Sequence, residues 1–162
     1  AFEAVASWHH FVLLEMGHLA DFRPDPAWVA RALGGAVPVA EIEAAFERLV
    51  RFGIFKRTPD GTYERTATDW RTPSNVPSTA IRTFHKQMLA RAADAIDEQE
   101  VGDRYFTGTA LTIDASQLEA AQQLIAEFRQ RFVSVFQSRA GDETYHLAVQ
   151  FFRVSAPKKE RA

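Results

Sequence analysis

The 162-residue chain contains no cysteine. This absence excludes disulfide bonds, zinc or iron–sulfur sites with cysteine ligands, and a thiol nucleophile. No apolar run approaches the roughly 20 residues that a membrane-spanning helix needs, and no segment resembles a signal peptide. We therefore expect a cytoplasmic protein that does not enter a membrane.

The chain also lacks an excess of charge of either sign. It has 19 Lys and Arg against 21 Asp and Glu, for a net charge of −2. Because a protein that coats nucleic acid carries a basic excess, any contact with nucleic acid must come from a local patch. With 46% hydrophobic and 25% charged residues, the composition is that of an ordinary globular protein with one domain or two small lobes.

Motifs of catalysis and metal binding are missing as well. The sequence has no glycine-rich phosphate loop after a strand, no Gly-x-Ser-x-Gly and no His-Glu-x-x-His. The acidic residues Asp94, Asp97, Glu98 and Glu100 are irregularly spaced, which is typical of a solvated helix end. We therefore predict no catalytic residue, no metal site and no cofactor, and we expect a protein that is not an enzyme.

Residues 1–70 are predicted to form a winged-helix-like lobe. Apolar residues at steps of three and four indicate a helix around residues 5–19, and Asp25-Pro26 has the pattern that opens a second helix. A third helix is predicted over residues 39–52, followed by two β-favouring runs around a turn at residues 59–61. Three helices and a hairpin are the order of a winged helix, whose third helix would be the recognition helix of a helix-turn-helix.

A group of basic residues lies on this third helix and the hairpin. Two interpretations stay open: the group contacts phosphates of DNA, or it is a solvated edge of the wing. The acidic residues Glu41, Glu43 and Glu47 on the same helix disfavour the first, because they repel phosphate. The candidate DNA-binding residues are Arg48, Arg51, Lys56, Arg57 and Arg65.

A polar, proline-punctuated stretch at residues 71–77 is predicted to be a linker. Residues 78–162 then show the pattern of a helix–strand–helix–strand lobe, with strands at residues 105–113 and 145–154 around a helix at residues 117–138. The whole chain is therefore predicted to have an α+β fold. Two strands alone make a poor sheet, so this second lobe needs additional cover.

The faces of the two predicted strands indicate where that cover is needed. Leu147, Val149 and Phe151 alternate along the last strand and can pack on the helices, so their neighbours point the other way. This outward face is neither charged nor covered, and we expect a second copy of the chain to cover it as a homodimer. The dimer-interface candidates are Ala110, Thr112, Gln150 and Phe152.

Phenylalanine is abundant, with 13 residues. Five of them fall on the apolar stripes of predicted helices, which indicates that they are core residues. The five are Phe46, Phe84, Phe128, Phe132 and Phe136.

The segment at residues 77–89, which contains Ile81-Arg82 and Phe84-His85-Lys86-Gln87-Met88, resembles a family of bacterial transcriptional regulators. These proteins carry an N-terminal Cro/repressor-type helix-turn-helix followed by a domain of unknown function. Residues 7–10, 104–107, 125–129 and 147–152 are similar to the same family, although Arg153 stands where the family usually has proline. The resemblance implies that this chain is the domain of unknown function and that a DNA-binding segment precedes it.

The same resemblance implies a regulatory role without catalytic residues. DNA contact would then come mainly through the preceding helix-turn-helix, and the small-molecule or protein signal stays open. Histidines and their neighbours become candidates for binding a ligand or for packing the two lobes. These candidates are Trp8, His9, His10, Arg82 and His85.

Overall fold

The computed structural model of the chain describes residues 7–66 and 79–156. Within them it has five α-helices and one antiparallel hairpin of two strands, so the predicted α+β class is confirmed. The chain forms two compact units. Unit 1 comprises Ala1–Phe106 and Arg139–Thr144, and unit 2 comprises Thr107–Ser138 and Tyr145–Ala162. The predicted linker at residues 71–77 lies outside the described residues.

Unit 1 contains the predicted succession of three helices and a hairpin, followed by a long helix. Asp25 begins the second helix, because its carboxylate accepts a hydrogen bond from the backbone N–H of Trp28 at 2.6 Å. Gly53 follows the third helix with φ +70°, a conformation that favours glycine. The elements are α1 (Trp8–Met16), α2 (Pro26–Ala32), α3 (Val39–Arg51), β1 (Phe55–Arg57), β2 (Tyr63–Arg65) and α4 (Thr79–Glu98).

The hydrophobic core of unit 1 is built by α1, α2, α3 and the hairpin. Phe46 is fully buried and stacks on Tyr63, with 4.3 Å between ring centroids and 10° between ring planes. The ring of Phe55 meets the ring of Phe46 edge-on, with 5.3 Å between ring centroids. Phe46 is thereby confirmed as a core residue, and it attaches both strands of the hairpin to α3.

Helix α4 belongs to unit 1 and packs against α1. The backbone N–H of Trp8 donates to Oε1 of Gln87 at 2.9 Å. Phe11 of α1 meets Phe84 of α4 edge-on, with 4.7 Å between ring centroids. The segment that leads to residue 144 also contributes, since Gly141 exchanges backbone hydrogen bonds with His18 and Ala20 at 3.1 and 2.9 Å.

Unit 2 contains one long helix, α5 (Leu118–Phe136), as the sequence indicates. The turn before it is capped by Asp114, whose carboxylate accepts from the backbone N–H of Ser116 at 2.8 Å. The predictions of strands at residues 105–113 and 145–154 are wrong, because neither segment is part of a sheet among the described residues. A strand requires a neighbouring backbone to form its ladder of hydrogen bonds, and side-chain alternation does not supply that neighbour.

Candidate functional site

The described parts of the chain contain no helix that is both long and apolar enough to cross a membrane. In the same residues, no three His, Asp or Glu side chains converge in a way that could hold a metal ion. The candidate sites are therefore the basic group at the hairpin, the histidines of α1, and the apolar surface of unit 2.

Arg57, a candidate for DNA contact, is engaged within the molecule. Its guanidinium forms an ion pair with the carboxylate of Glu47 and donates to the hydroxyl of Tyr63 at 3.1 Å. The Tyr63 hydroxyl in turn donates to the same carboxylate at 2.7 Å. The hydrogen bond from Arg57 lowers the pKa of Glu47, whereas burial and the Glu47 charge raise the pKa of Tyr63. These three side chains join α3 to both strands.

Three more of the basic candidates also have partners. Lys56 forms an exposed ion pair with Glu64 across the hairpin, with 3.1 Å between Nζ and Oε2. Arg65 donates to the backbone carbonyl of Leu14 at 2.8 Å and to Nε2 of His18 at 2.7 Å. Arg48 reaches Nε2 of His10 at 3.3 Å.

Arg51 alone among the five candidates lies exposed in the last turn of α3 without a hydrogen bond or ion pair to the described residues. The structure therefore does not gather the predicted basic residues into a patch of unengaged positive charge. It uses them to attach α3, the hairpin and α1 to one another.

The histidines at the start of α1 are buried. His9 and His10 are 7% and 1% exposed, and their rings stack at 4.5 Å. Because a guanidinium is only a donor, Nε2 of His10 accepts from Arg48, and its Nδ1–H donates to the carbonyl of Ser7 at 3.3 Å. Burial, reinforced by His9 and Arg48, lowers the pKa of His10 to about 4. His10 is thus a neutral core residue near neutral pH.

His9 has the same kind of environment without a hydrogen bond. Its buried Nε2 has no partner among the described residues. Burial lowers its pKa, opposed by the charge of Glu41 and assisted by that of Arg48. A buried imidazole of this kind stays neutral and contributes by packing, because a protonated ring would be charged at a place where water cannot hydrate it.

Trp8 meets the ring of His9 edge-on, with 6.0 Å between ring centroids, whereas the remaining ligand candidates are on α4. Trp8 is covered by the Arg91 guanidinium, 4.4 Å from its ring centroid. Arg82 and His85 are exposed on α4, and no hydrogen bond joins either of them to His9 or His10 within the described residues. The five candidates thus do not form one ligand site. Instead, Trp8 takes part in the packing of α1 against α4.

The dimer-interface candidates of unit 2 are all exposed, and Phe152 keeps 73% of its surface accessible. Helix α5 has no buried residue at all. Phe128, Phe132 and Phe136, predicted as core, are instead 50%, 37% and 67% exposed, so that prediction is wrong for the single chain. The hydrophobic pattern identifies the apolar face of α5, but periodicity does not show what, if anything, covers that face.

Exposed apolar side chains occur on α5 and on the described segments before and after it. On α5 they line an open groove of about 380 Å³ between the last turns of the helix. Fourteen large hydrophobic side chains of unit 2 are exposed, and sequence reasoning found only some of them. They are Leu111, Leu118, Leu124, Phe128, Phe132, Val133, Val135, Phe136, Tyr145, Leu147, Val149, Phe151, Phe152 and Val154.

Comparison with known proteins defines the family but no activity. Searches against curated proteins and against solved structures return no match. The model of one family, described as a domain of unknown function (DUF4423), matches residues 1–154. This match covers nearly the whole chain, and the protein therefore belongs to the DUF4423 domain family.

Proposed function

We propose that this chain is a non-enzymatic accessory domain of a bacterial transcriptional regulator and that it acts by forming a homodimer through unit 2. The observation that carries the proposal is the exposure of fourteen large hydrophobic side chains on α5 and its flanking segments. The resemblance to regulators with a helix-turn-helix supplies the regulatory context. In such proteins a dimer sets the distance between the two DNA-binding units and hence the spacing of half-sites.

The area of this surface fits a permanent interface. An exposed fraction near one half corresponds to roughly 100 Å² for a large apolar side chain, so fourteen of them expose about 1,400 Å² per chain. Obligate dimers bury about 1,000–2,500 Å² on each partner. Unit 2 therefore exposes an area that obligate dimers bury.

The spacing of residues on α5 favours a second copy as the partner. Six apolar residues follow one another at steps of three, four, three, four and three, which is the seam along which two helices pack. Coiled coils need three to four heptads, so this 19-residue helix requires the flanking segments as well. The six residues are Leu118, Ala121, Ile125, Phe128, Phe132 and Val135.

The charge of unit 2 also permits self-association. Residues 107–138 and 145–156 contain three acidic residues, Asp114, Glu119 and Glu127, and three arginines. The formal charge of these residues is thus zero when histidine is neutral, and that of the whole of unit 2, with Lys158, Lys159, Glu160 and Arg161, is only +2, so repulsion between two copies is weak. A partner that relied on strong charge, such as a polyanion, would find no complementary field here.

Light scattering after size-exclusion chromatography tests the dimer. We expect a mass of two chains at micromolar concentration and one chain for Phe132→Lys, because a charge in the seam cannot be buried without a partner. Gln130→Lys is the matched control: it adds the same charge to an exposed polar position of α5 and should leave the dimer intact. A wild-type chain that is monomeric throughout the micromolar range would contradict the proposal.

Direct DNA binding through the hairpin is the alternative that sequence analysis left open. Since Arg48, Lys56, Arg57 and Arg65 have intramolecular partners, we expect no appreciable binding to duplex DNA at low salt. Tight binding would instead support the alternative, if the logarithm of the association constant fell steeply with the logarithm of the salt concentration and if Arg51→Ala reduced that slope.

A further inference from the structure

Residues 147–154 have the side-chain alternation of a strand but no backbone partner. Leu147, Val149 and Phe151 are 38%, 42% and 37% exposed, whereas Phe152 and Val154 are 73% and 83% exposed. No hydrogen bond joins the backbone of residues 147–154 to any other described residue. One side of the segment is thus partly covered, the other is open, and neither edge is paired with a described residue.

We infer that residues 147–154 pair with the same segment of a second copy and form a β-sheet that is continuous across the dimer. The inference rests on the proposed homodimer and specifies its backbone interface. An apolar strand with unpaired N–H and C=O groups associates with another strand. A second copy supplies a strand of the same length and the same alternation.

Symmetry determines the direction of the pairing. For α5 to lie on the same face of the shared sheet in both chains, the two-fold axis must be perpendicular to the sheet. Strands related by such an axis run antiparallel. The less exposed residues must then lie opposite one another, which requires that the numbers of two opposing residues add to an even sum. For the segment at residues 147–154, the axis therefore passes close to Gln150.

Because the chain has no cysteine, single cysteines can report this geometry without background. We expect Gln150→Cys, in the full chain and with diamide as the oxidant, to form a disulfide between two copies roughly a thousandfold faster than Gln123→Cys on the polar side of α5. The reason is that thiols held in opposing strands have effective concentrations of millimolar or more, against micromolar for free collision. Cross-linking should decline toward Leu147→Cys and Val154→Cys at the two ends of the segment.

Two results would overturn the inference. Equal cross-linking at all positions of the segment would indicate parallel strands in register, and cross-linking no faster than at Gln123→Cys would indicate that the segments do not meet. If light scattering still shows a dimer in either case, the inference fails while the proposed function stands. A monomeric wild-type chain would contradict both the inference and the proposed function.

Proline provides a second measurement that does not depend on thiol chemistry. Gln150→Pro removes one backbone N–H, and no intramolecular ladder uses that group. Because successive N–H groups point to opposite edges of a strand, we expect whichever of Gln150→Pro and Val149→Pro removes an N–H from the shared edge to weaken the dimer at least about tenfold, while the helical circular dichroism is retained. An unchanged dissociation constant in both variants would contradict a shared sheet.

Discussion

The buried His10 makes a quantitative prediction about stability and pH. Its pKa is lowered from 6.5 to about 4, chiefly by burial, and its imidazole is 1% exposed. Above pH 6.5 the residue is neutral whether the chain is folded or unfolded. Below it the unfolded chain binds a proton that the folded chain does not bind until about pH 4. Stability from His10 is therefore complete above pH 6.5 and is lost as the pH falls from 6.5 to 4.

The magnitude follows from the difference between the two pKa values. One pKa unit corresponds to 1.36 kcal/mol, so the free energy of unfolding should fall by about 3 kcal/mol over this range because of His10 alone. That is a large part of the 5–15 kcal/mol typical of a domain. Carboxylates also titrate at the acid end, so the contribution of His10 must be obtained from a difference between variants.

Urea denaturation at a series of pH values measures this difference. Trp8 lies next to the histidine pair and its fluorescence can report unfolding of unit 1. His10→Gln removes the titrating group. Between pH 4 and 6.5, the free energy of unfolding of this variant should therefore change with pH less steeply than that of the wild type, by the slope that corresponds to about one bound proton. His85→Gln, at an exposed position on α4, is the matched control and should keep the dependence of the wild type.

Two outcomes would refute this reasoning. One is an identical pH dependence for His10→Gln and the wild type. The other is an imidazole signal of His10 in nuclear magnetic resonance that titrates near 6.5, since a buried neutral ring resists protonation.

Three further predictions concern unit 1. Gly53→Ala should cost about 1–2 kcal/mol, because Gly53 has φ +70°, while Gly102→Ala, with open space around it, should be nearly neutral in the same urea denaturation. Glu47→Gln should lower the pKa of Tyr63 in a spectrophotometric titration, since it removes the negative charge beside the phenol, and an unchanged pKa would show that burial alone raises it. Phe46→Ala should lower the free energy of unfolding by about 3–5 kcal/mol, because it empties the fully buried position on which Tyr63 stacks.

The elements of unit 1 follow from local signals in the sequence. The carboxylate at Asp25 begins α2 and the glycine at position 53 follows α3, because these residue types satisfy or relax the backbone at those points. The amphipathic pattern likewise determined α5 and which side of it is apolar. The absence of catalytic and metal-binding motifs likewise limited the kinds of reaction and site that the sequence predicts, since catalysis and metal binding depend on particular residue types.

Only the tertiary structure decided how the charged and aromatic side chains are used. The sequence alone suggests that Arg57 is an unpaired surface cation, but the fold places it against Glu47 and Tyr63. His10 lies in the core because α3 covers it and Arg48 reaches it. Phe132 has the pattern of a core residue, yet the described residues leave it 37% exposed. Sequence periodicity determines which side of an element is apolar, because it depends on residues a few positions apart. The surface that covers this side belongs to residues distant in the sequence or to another chain, and it is therefore determined by packing in three dimensions.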